Sequence, residues 1–321
     1  MKIRNVLIAF AMACIVILPG SVFAQDWAPK GAIKIRVGFD AGGSTDVTTR
    51  LTAAIIEKQT GWNIAVENRP GGGGVTMLSN LMREKPDGMI LGVGVNVPVF
   101  VTLGLRGDTV PFKIDSFDYI GTMASSENAF VAKGDAPFNN FMEFLDYAKA
   151  KGSVAVGYDS NVQQMILNAV SNDTGAKFKQ IAHQSGAEQI QNLLGGHIIV
   201  ACLSGEHVKY LETGELKMIG IYSKKRVSYA PDVKTIMEDG FNYYIEPYYF
   251  IAAPKGLPAD VKATLAKVFD DAINSAELKE AIWNTFKVLP NNLGPEGTFE
   301  MLKQGQIDTK FLIDAGKEVK Q

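Results

Sequence analysis

The sequence predicts an α/β protein made of two α/β domains, and three observations predict it. Apolar runs of strand length alternate with stretches whose apolar residues recur at helical spacing, giving βαβαβ between Ile33 and Val95. The same grammar restarts at Val154 and runs to Tyr222. The predicted strand ends carry glycines and small polar residues, and in parallel sheets ligands bind at that edge. A chain of 321 residues, 46% hydrophobic and 21% charged, has the length and composition for two such domains.

The first βα unit is the most telling. The apolar run from Ile33 stops at Gly38, a turn follows with Gly42 and Gly43, and Ser44, Thr45 and Asp46 sit where helix N-caps belong. Val47, Leu51, Ala54 and Ile55 then follow a 3.6-residue period, and Gly61 suits a left-handed C-terminal stop. A strand running through glycines into a helix start collects free backbone N–H groups at the positive end of the helix dipole, an arrangement that receives anions. A plain turn capped by its own hydroxyls is the other reading.

Strand 63–67 leads through Asn68-Arg69-Pro70 to four glycines, 71–74, then a helix over 75–83 and a strand over 89–95 that ends at Asn96. The glycines do not make a nucleotide loop: Val75-Thr76 stand where a phosphate loop needs Lys-Ser/Thr, and Thr76 replaces the third glycine of a dinucleotide fingerprint. Strands over 119–123 and 130–132 flank a polar crossing, and Asn139 caps a helix to Lys149. The second series places loops at 158–161, 183–186 and 204–206. Residues 231–240 read as a helix, the strand 249–253 returns to the first domain, and three helices finish the chain.

The N-terminus reads as an export signal: Lys2 and Arg4, an apolar stretch from Val6 to Leu18, a break at Pro19-Gly20, and small residues before a cleavage expected ahead of Gln25. About 13 apolar residues are too few to span a bilayer. Cleavage removes two positive charges and no negative ones, taking the formal charge from −2 to −4, which argues against nucleic acid or an anionic membrane as partner. Cys202 is then the lone cysteine; it sits in an apolar run and reads as a buried core thiol. No catalytic pattern stands out. His183, His197 and His207 have no metal-ligand spacing, no G-x-S-x-G elbow is present, and neither metal nor cofactor is expected. Ser204 or Cys202 beside His207 is the only nucleophile arrangement to weigh, and His183 falls on a strand-end loop of the presumed cleft.

G-G-S-T-D from Gly42, V-E-N-R-P-G-G-G-G-V-T from Val66 and P-D-G-M-I-L from Pro86 closely resemble the first domain of one bacterial family. L-L-G-G-H at 193–197, A-P-D-V-K-T at 230–235 and A-P-K-G-L-P at 253–258 continue the match over nearly the whole mature chain. The family is the periplasmic receptors of tripartite tricarboxylate transporters, the Bug or TctC-like proteins. The resemblance implies a type II periplasmic binding protein fold. Domain 1 would be 25–126 plus 249–321, domain 2 would be 127–248, and two crossing strands would form the hinge. It implies a monomer, not an enzyme, that captures a small carboxylate (a di- or tricarboxylate, an aromatic acid or an amino acid) and delivers it to a membrane permease. The implied ligand residues are Gly43, Ser44, Thr45 and Asp46 with Asn96 on one side. Tyr158, Asp159, Ser160, Asn161, His183, Ser185, Gly186, Ala187 and Ser204 lie on the other.

Three departures fall on those loops. His183-Gln184-Ser185-Gly186 replaces a common Tyr-Lys-Gly-Gly, Leu203-Ser204 stands where Asp or Asn is common, and Asp159 enters a loop that is usually small and neutral. A carboxylate in an anion pocket is costly unless a donor faces it. Asp159 therefore either meets an ammonium or hydroxyl of the ligand, or points to solvent and caps the helix at Val162. The rival functions are a ligand-sensing partner of a membrane kinase and a hydrolase built on Ser204 or Cys202.

Overall fold

The computed structural model describes residues 27–315; the expected signal peptide lies outside them. Two five-stranded sheets carry the fold. The first contains β1 (Ile33–Val37), β2 (Ile64–Asn68), β3 (Ile90–Val95), β4 (Phe117–Ser125) and β10 (Tyr248–Pro254), in the order β2-β1-β3-β10-β4. β1 runs parallel to β2 and β3, whereas β10 is antiparallel to β3 and β4. The second contains β5 (Ala129–Lys133), β6 (Val154–Tyr158), β7 (Phe178–Ala182), β8 (Val200–Leu203) and β9 (Leu216–Ile221), in the order β7-β6-β8-β5-β9. β6 is parallel to β7 and β8, and β5 is antiparallel to β8 and β9. The two sheets thus share one layout, as the repeated βα grammar predicts.

Strand alternation gives each sheet two apolar faces. In the first, Ile33, Ile35, Leu91, Val93 and Ile251 face α1 (Ser44–Thr60), α8 (Ala259–Asn274) and α9 (Ala276–Phe286). Phe117, Tyr119, Phe250 and Ala252 face α2 (Val75–Leu81), α3 (Asn96–Arg106) and α10 (Gly294–Asp308). In the second sheet, Phe130, Val154, Val156, Val200 and Cys202 face α4 (Phe141–Lys151) and α5 (Asn161–Thr174). Val131, Ala201, Leu203 and Leu216 lie on the face that holds α6 (Gly186–Leu194) and α7 (Val208–Leu211). The buried Cys202 accords with its apolar run.

The sequence reading misses α3, because Asn96-Val97-Pro98 looks like a strand end. Pro98 lies in the first turn, where its missing N–H costs nothing. This helix joins the two cores: Val97 and Val101 pack into the second, Val99, Phe100 and Leu103 into the first. The helix expected over 231–240 does not form. Glu238 there accepts from the Thr235 backbone and pairs with Arg226, and Thr235 bridges to Ile221, so side chains and sheet take the groups a helix would use. A last helix, α11 (Lys310–Ala315), follows α10, and its Ile313 packs against the second core.

At the head of α1, Gly43 is the N-cap and supplies no side chain. Asp46, expected in the ligand site, turns inward. Its carboxylate accepts from Gly42 N–H at 3.0 Å, Arg50 Nε at 3.0 Å and Asn68 Nδ2 at 2.8 Å, tying the turn to the end of β2. Burial alone would raise its pKa; the Arg50, Gly42 and Asn68 bonds outweigh burial and hold it below the ordinary 3.8. Gly38, at the end of β1, lets the four-glycine loop seat closely, since a Cβ there would lie 2.7 Å from the Gly74 Cα.

Two outcomes follow from these contacts. Gly38→Ala forces backbone apart and should lower unfolding free energy in urea by about 1–3 kcal/mol; an unchanged midpoint would show that the loop yields freely. Asp46 binds its proton less readily folded than unfolded, so its contribution is present above the unfolded value near 3.8 and is lost as pH falls through the lower folded value. Urea titrations should show wild type more stable than Asp46→Asn at pH 6, with the gap narrowing only below about pH 4.

Candidate functional site: a cleft between the sheets

A cavity lies between the two sheets, at the C-terminal ends of their parallel strands. The start of α1 contributes Gly43, Ser44 and Thr45. The loop from β6 to α5 contributes Asp159 and Ser160, the start of α6 contributes Ser185 and Gly186, and the loop after β8 contributes Ser204 and Glu206. Ser126, Asn128, Ile245 and Pro247, from the two chain crossings between the sheets, complete the wall with Phe39 and Tyr249. The crossings are tied by Ser126 N–H donating to Pro247 O at 2.9 Å.

Three helix N-termini meet here, and they are not equally satisfied. Ser160 caps α5 and Ser185 caps α6, each with its side chain accepting from the third helical N–H. Asp159 is therefore not the cap of α5, and its side chain is left to the cavity wall. The head of α1 is met from the other sheet. Glu206 Oε1 accepts from Ser44 N–H at 2.9 Å while Oε2 accepts from Ser204 N–H at 2.9 Å. A Cβ on Gly186 would lie 2.6 Å from the Glu206 carboxyl carbon, so glycine at the start of α6 lets this carboxylate in. Beside it, Tyr249 donates to Ser44 Oγ at 2.9 Å and Ser204 Oγ donates to Asn128 Oδ1 at 2.8 Å. Thr45 is 4% exposed, and neither its hydroxyl nor its N–H has a hydrogen-bond partner within the described residues.

Asp159 sits in a network of amides. Its N–H donates to Gln163 Oε1 at 2.8 Å, and the side-chain amides of Gln189 and Gln163 favour the charged form of its carboxyl. Gln189 also clamps Cys202, bonding both its N–H and its carbonyl. Burial first, then the charge of Glu206, push the Asp159 pKa up to about 7, against the pull of the amides. No lysine, arginine or histidine lines the cavity.

The other expected residues lie elsewhere. Tyr158, Asn161 and His183 line a second, adjoining space between the four-glycine loop and the strand ends of the second sheet. Asn161 donates to Thr102 Oγ1 at 2.7 Å across the gap. Asn96 instead organises the return of the chain, accepting from Tyr248 N–H at 2.8 Å in a third depression. Ala187 faces Gly42 where the two sides touch. Sequence reasoning named the loop 204–206 but singled out Ser204 rather than Glu206 in it, and missed Gln163, Asn128 and Tyr249. Glu206 meets a partner 162 residues away, so no local spacing could have marked it.

The nucleophile arrangement weighed from the sequence does not assemble. Ser204 gives its hydroxyl hydrogen to Asn128, and His207 is fully buried against Tyr229 with its pKa driven down to about 3 by burial, so the two do not form a base–nucleophile pair. Burial, then Asp159, raise the Cys202 thiol well above its ordinary value. Among the described residues no group of three or more His, Cys, Asp or Glu is placed to hold a metal ion.

A UPF0065 protein from the gbd 5′ region of Cupriavidus necator is 28% identical over 263 residues, spanning 80% of this chain and 79% of that protein. The solved structure of the periplasmic binding protein BugD superposes with a TM-score of 0.82 at 24% identity, covering 91% of this chain and 99% of that one. MatC (Rpa3494) from Rhodopseudomonas palustris, solved with bound malate, gives 0.80 at 20% identity, covering 89% and 100%. Residues 48–296 match the family described as the tripartite tricarboxylate transporter family receptor. The chain belongs to that receptor family and has the fold of a periplasmic binding protein.

Proposed function

We propose that the protein is an exported, monomeric periplasmic receptor that captures a small carboxylate-bearing solute between two domains and presents it to the membrane permease of a tripartite tricarboxylate transporter. The observation that carries this reading is the cavity at which the starts of α1, α5 and α6 converge, with Thr45 offering an unpaired N–H and hydroxyl. A chain of net negative charge cannot draw in an anion globally, so capture rests on local backbone and hydroxyl dipoles. Domain 1 is then 25–126 with 249–321, domain 2 is 127–248, and the crossings near Ser126 and Pro247 are the hinge about which the cleft closes. MatC, with its bound malate, supports the solute class by analogy of fold. The hydrolase alternative loses its support in the separation of Ser204 from His207. A sensory role beside a membrane kinase uses the same capture step.

Protein unfolded in guanidinium, dialysed and refolded, to strip any carried ligand, should gain thermal stability with at least one member of a panel of dicarboxylates, tricarboxylates, aromatic acids and amino acids. Saturation at 100 times Kd adds about 2.7 kcal/mol. No shift with any carboxylate would overturn the reading. With the ligand that responds best, Thr45→Val should weaken binding by about 1–3 kcal/mol in calorimetric titration while leaving unfolding in urea nearly unchanged. An unchanged Kd would remove Thr45 from the site.

A further inference from the structure

The receptor reading leaves one feature of the cavity unexplained. It contains two carboxylates, Asp159 and Glu206, close enough to act on one another, and no basic side chain. Glu206 has donors for both oxygens, the Ser44 and Ser204 N–H groups, but these are neutral dipoles. Asp159 has only amides. The other groups that feel Asp159 are Cys202, Tyr222 and Tyr249, and none of them supplies positive charge. Asp159 also borders the adjoining space, whose basic residues are Arg106 and His183. Thr45, next to Ser44 at the head of α1, lines the same cavity, is 4% exposed, and its hydroxyl has no hydrogen-bond partner among the described residues.

Building on the receptor reading, we infer that the solute is a zwitterion whose protonated amine is held between Asp159 and Glu206 and whose carboxylate meets Thr45. The chemistry is complementary at each end. Half-buried carboxylates without a cation are stabilised by one brought in with the ligand, and an unpaired hydroxyl and N–H at a helix start suit the ligand's own anion. Glu206 adds a second reason. Because its carboxylate already occupies the Ser44 N–H, a plain dicarboxylate finds that donor taken and meets two like charges. The class selected is amino acids over the same acids lacking the amine.

The test titrates the refolded protein at pH 8 with matched probes: aspartate against succinate, glutamate against glutarate, leucine against 4-methylpentanoate, phenylalanine against 3-phenylpropionate. At least one amine-bearing member should bind ten-fold or more tighter than its partner. In Asp159→Asn, confirmed folded by circular dichroism, that ratio should fall towards one. Equal or tighter binding of the amine-free partner by wild type overturns this inference and leaves the receptor reading standing. Failure of every probe here and of every acid in the stability panel overturns both. A wild-type preference that survives Asp159→Asn also overturns the inference, because Asp159 would then not select the amine. Should that variant not fold, Glu206→Gln takes its place, and the same collapse of the ratio is expected.

Discussion

One carboxylate holds the cleft together. Glu206 stands on the loop after β8 of the second sheet, yet one of its oxygens receives the first N–H of α1 from the first sheet and the other receives Ser204 N–H from its own loop. Charge-assisted bonds of this kind are worth about 1.5–3 kcal/mol each. They also settle details that look unrelated. Gly43 supplies no capping side chain because the cap comes from across the cleft, and Gly186 is glycine because the carboxylate rests against it. Thr45 is left as the open donor of α1 because Ser44 is engaged.

The cavity chemistry follows from that placement. A helix start is an anion site by default, and here part of it is filled by the protein's own anion. What remains is a wall of hydroxyls, a few N–H groups and two carboxylates with no lysine or arginine to offset them. A further negative group entering there would meet two carboxyl groups and no basic side chain. The groups lining the cavity thus outweigh the modest net charge of the whole chain in choosing what enters.

The fold was legible in the sequence because its signals are local. Alternating apolar runs, glycine turns and helical periods each occupy a few consecutive residues, and the repeated βα grammar marked both sheets and the return of β10 to the first. The failures were local patterns overridden by distant partners. Residues 231–240 carry helical spacing, but Arg226 and Ile221 claim their polar groups. Asn96-Val97-Pro98 reads as an end, but two cores receive the helix it begins. At the cleft, the loops could be named from the strand ends, and Ser44, Thr45, Asp159, Ser160, Ser185 and Ser204 all reach the cavity. The inward turn of Asp46 and the crossing of Glu206 depend on neighbours 22 and 162 residues away, which no sequence window contains.

Glu206 also bears on how such a cleft opens and closes. Under the proposed hinge motion, a ligand shifts the balance only by the difference in its affinity for the two states. A contact that held the domains shut unaided would leave the ligand little to add, and one that cost a naked buried charge on opening would make opening slow. The Glu206 arrangement avoids both. On opening, the carboxylate gives up Ser44 N–H but keeps Ser204 N–H, which moves with it on the same loop, and water reaches the freed oxygen. At Glu206, opening then exchanges one hydrogen bond for water, beside the Asn161–Thr102 bond across the gap. Closure remains for the ligand to secure, through contacts that span Thr45 on one side and the Asp159 loop on the other.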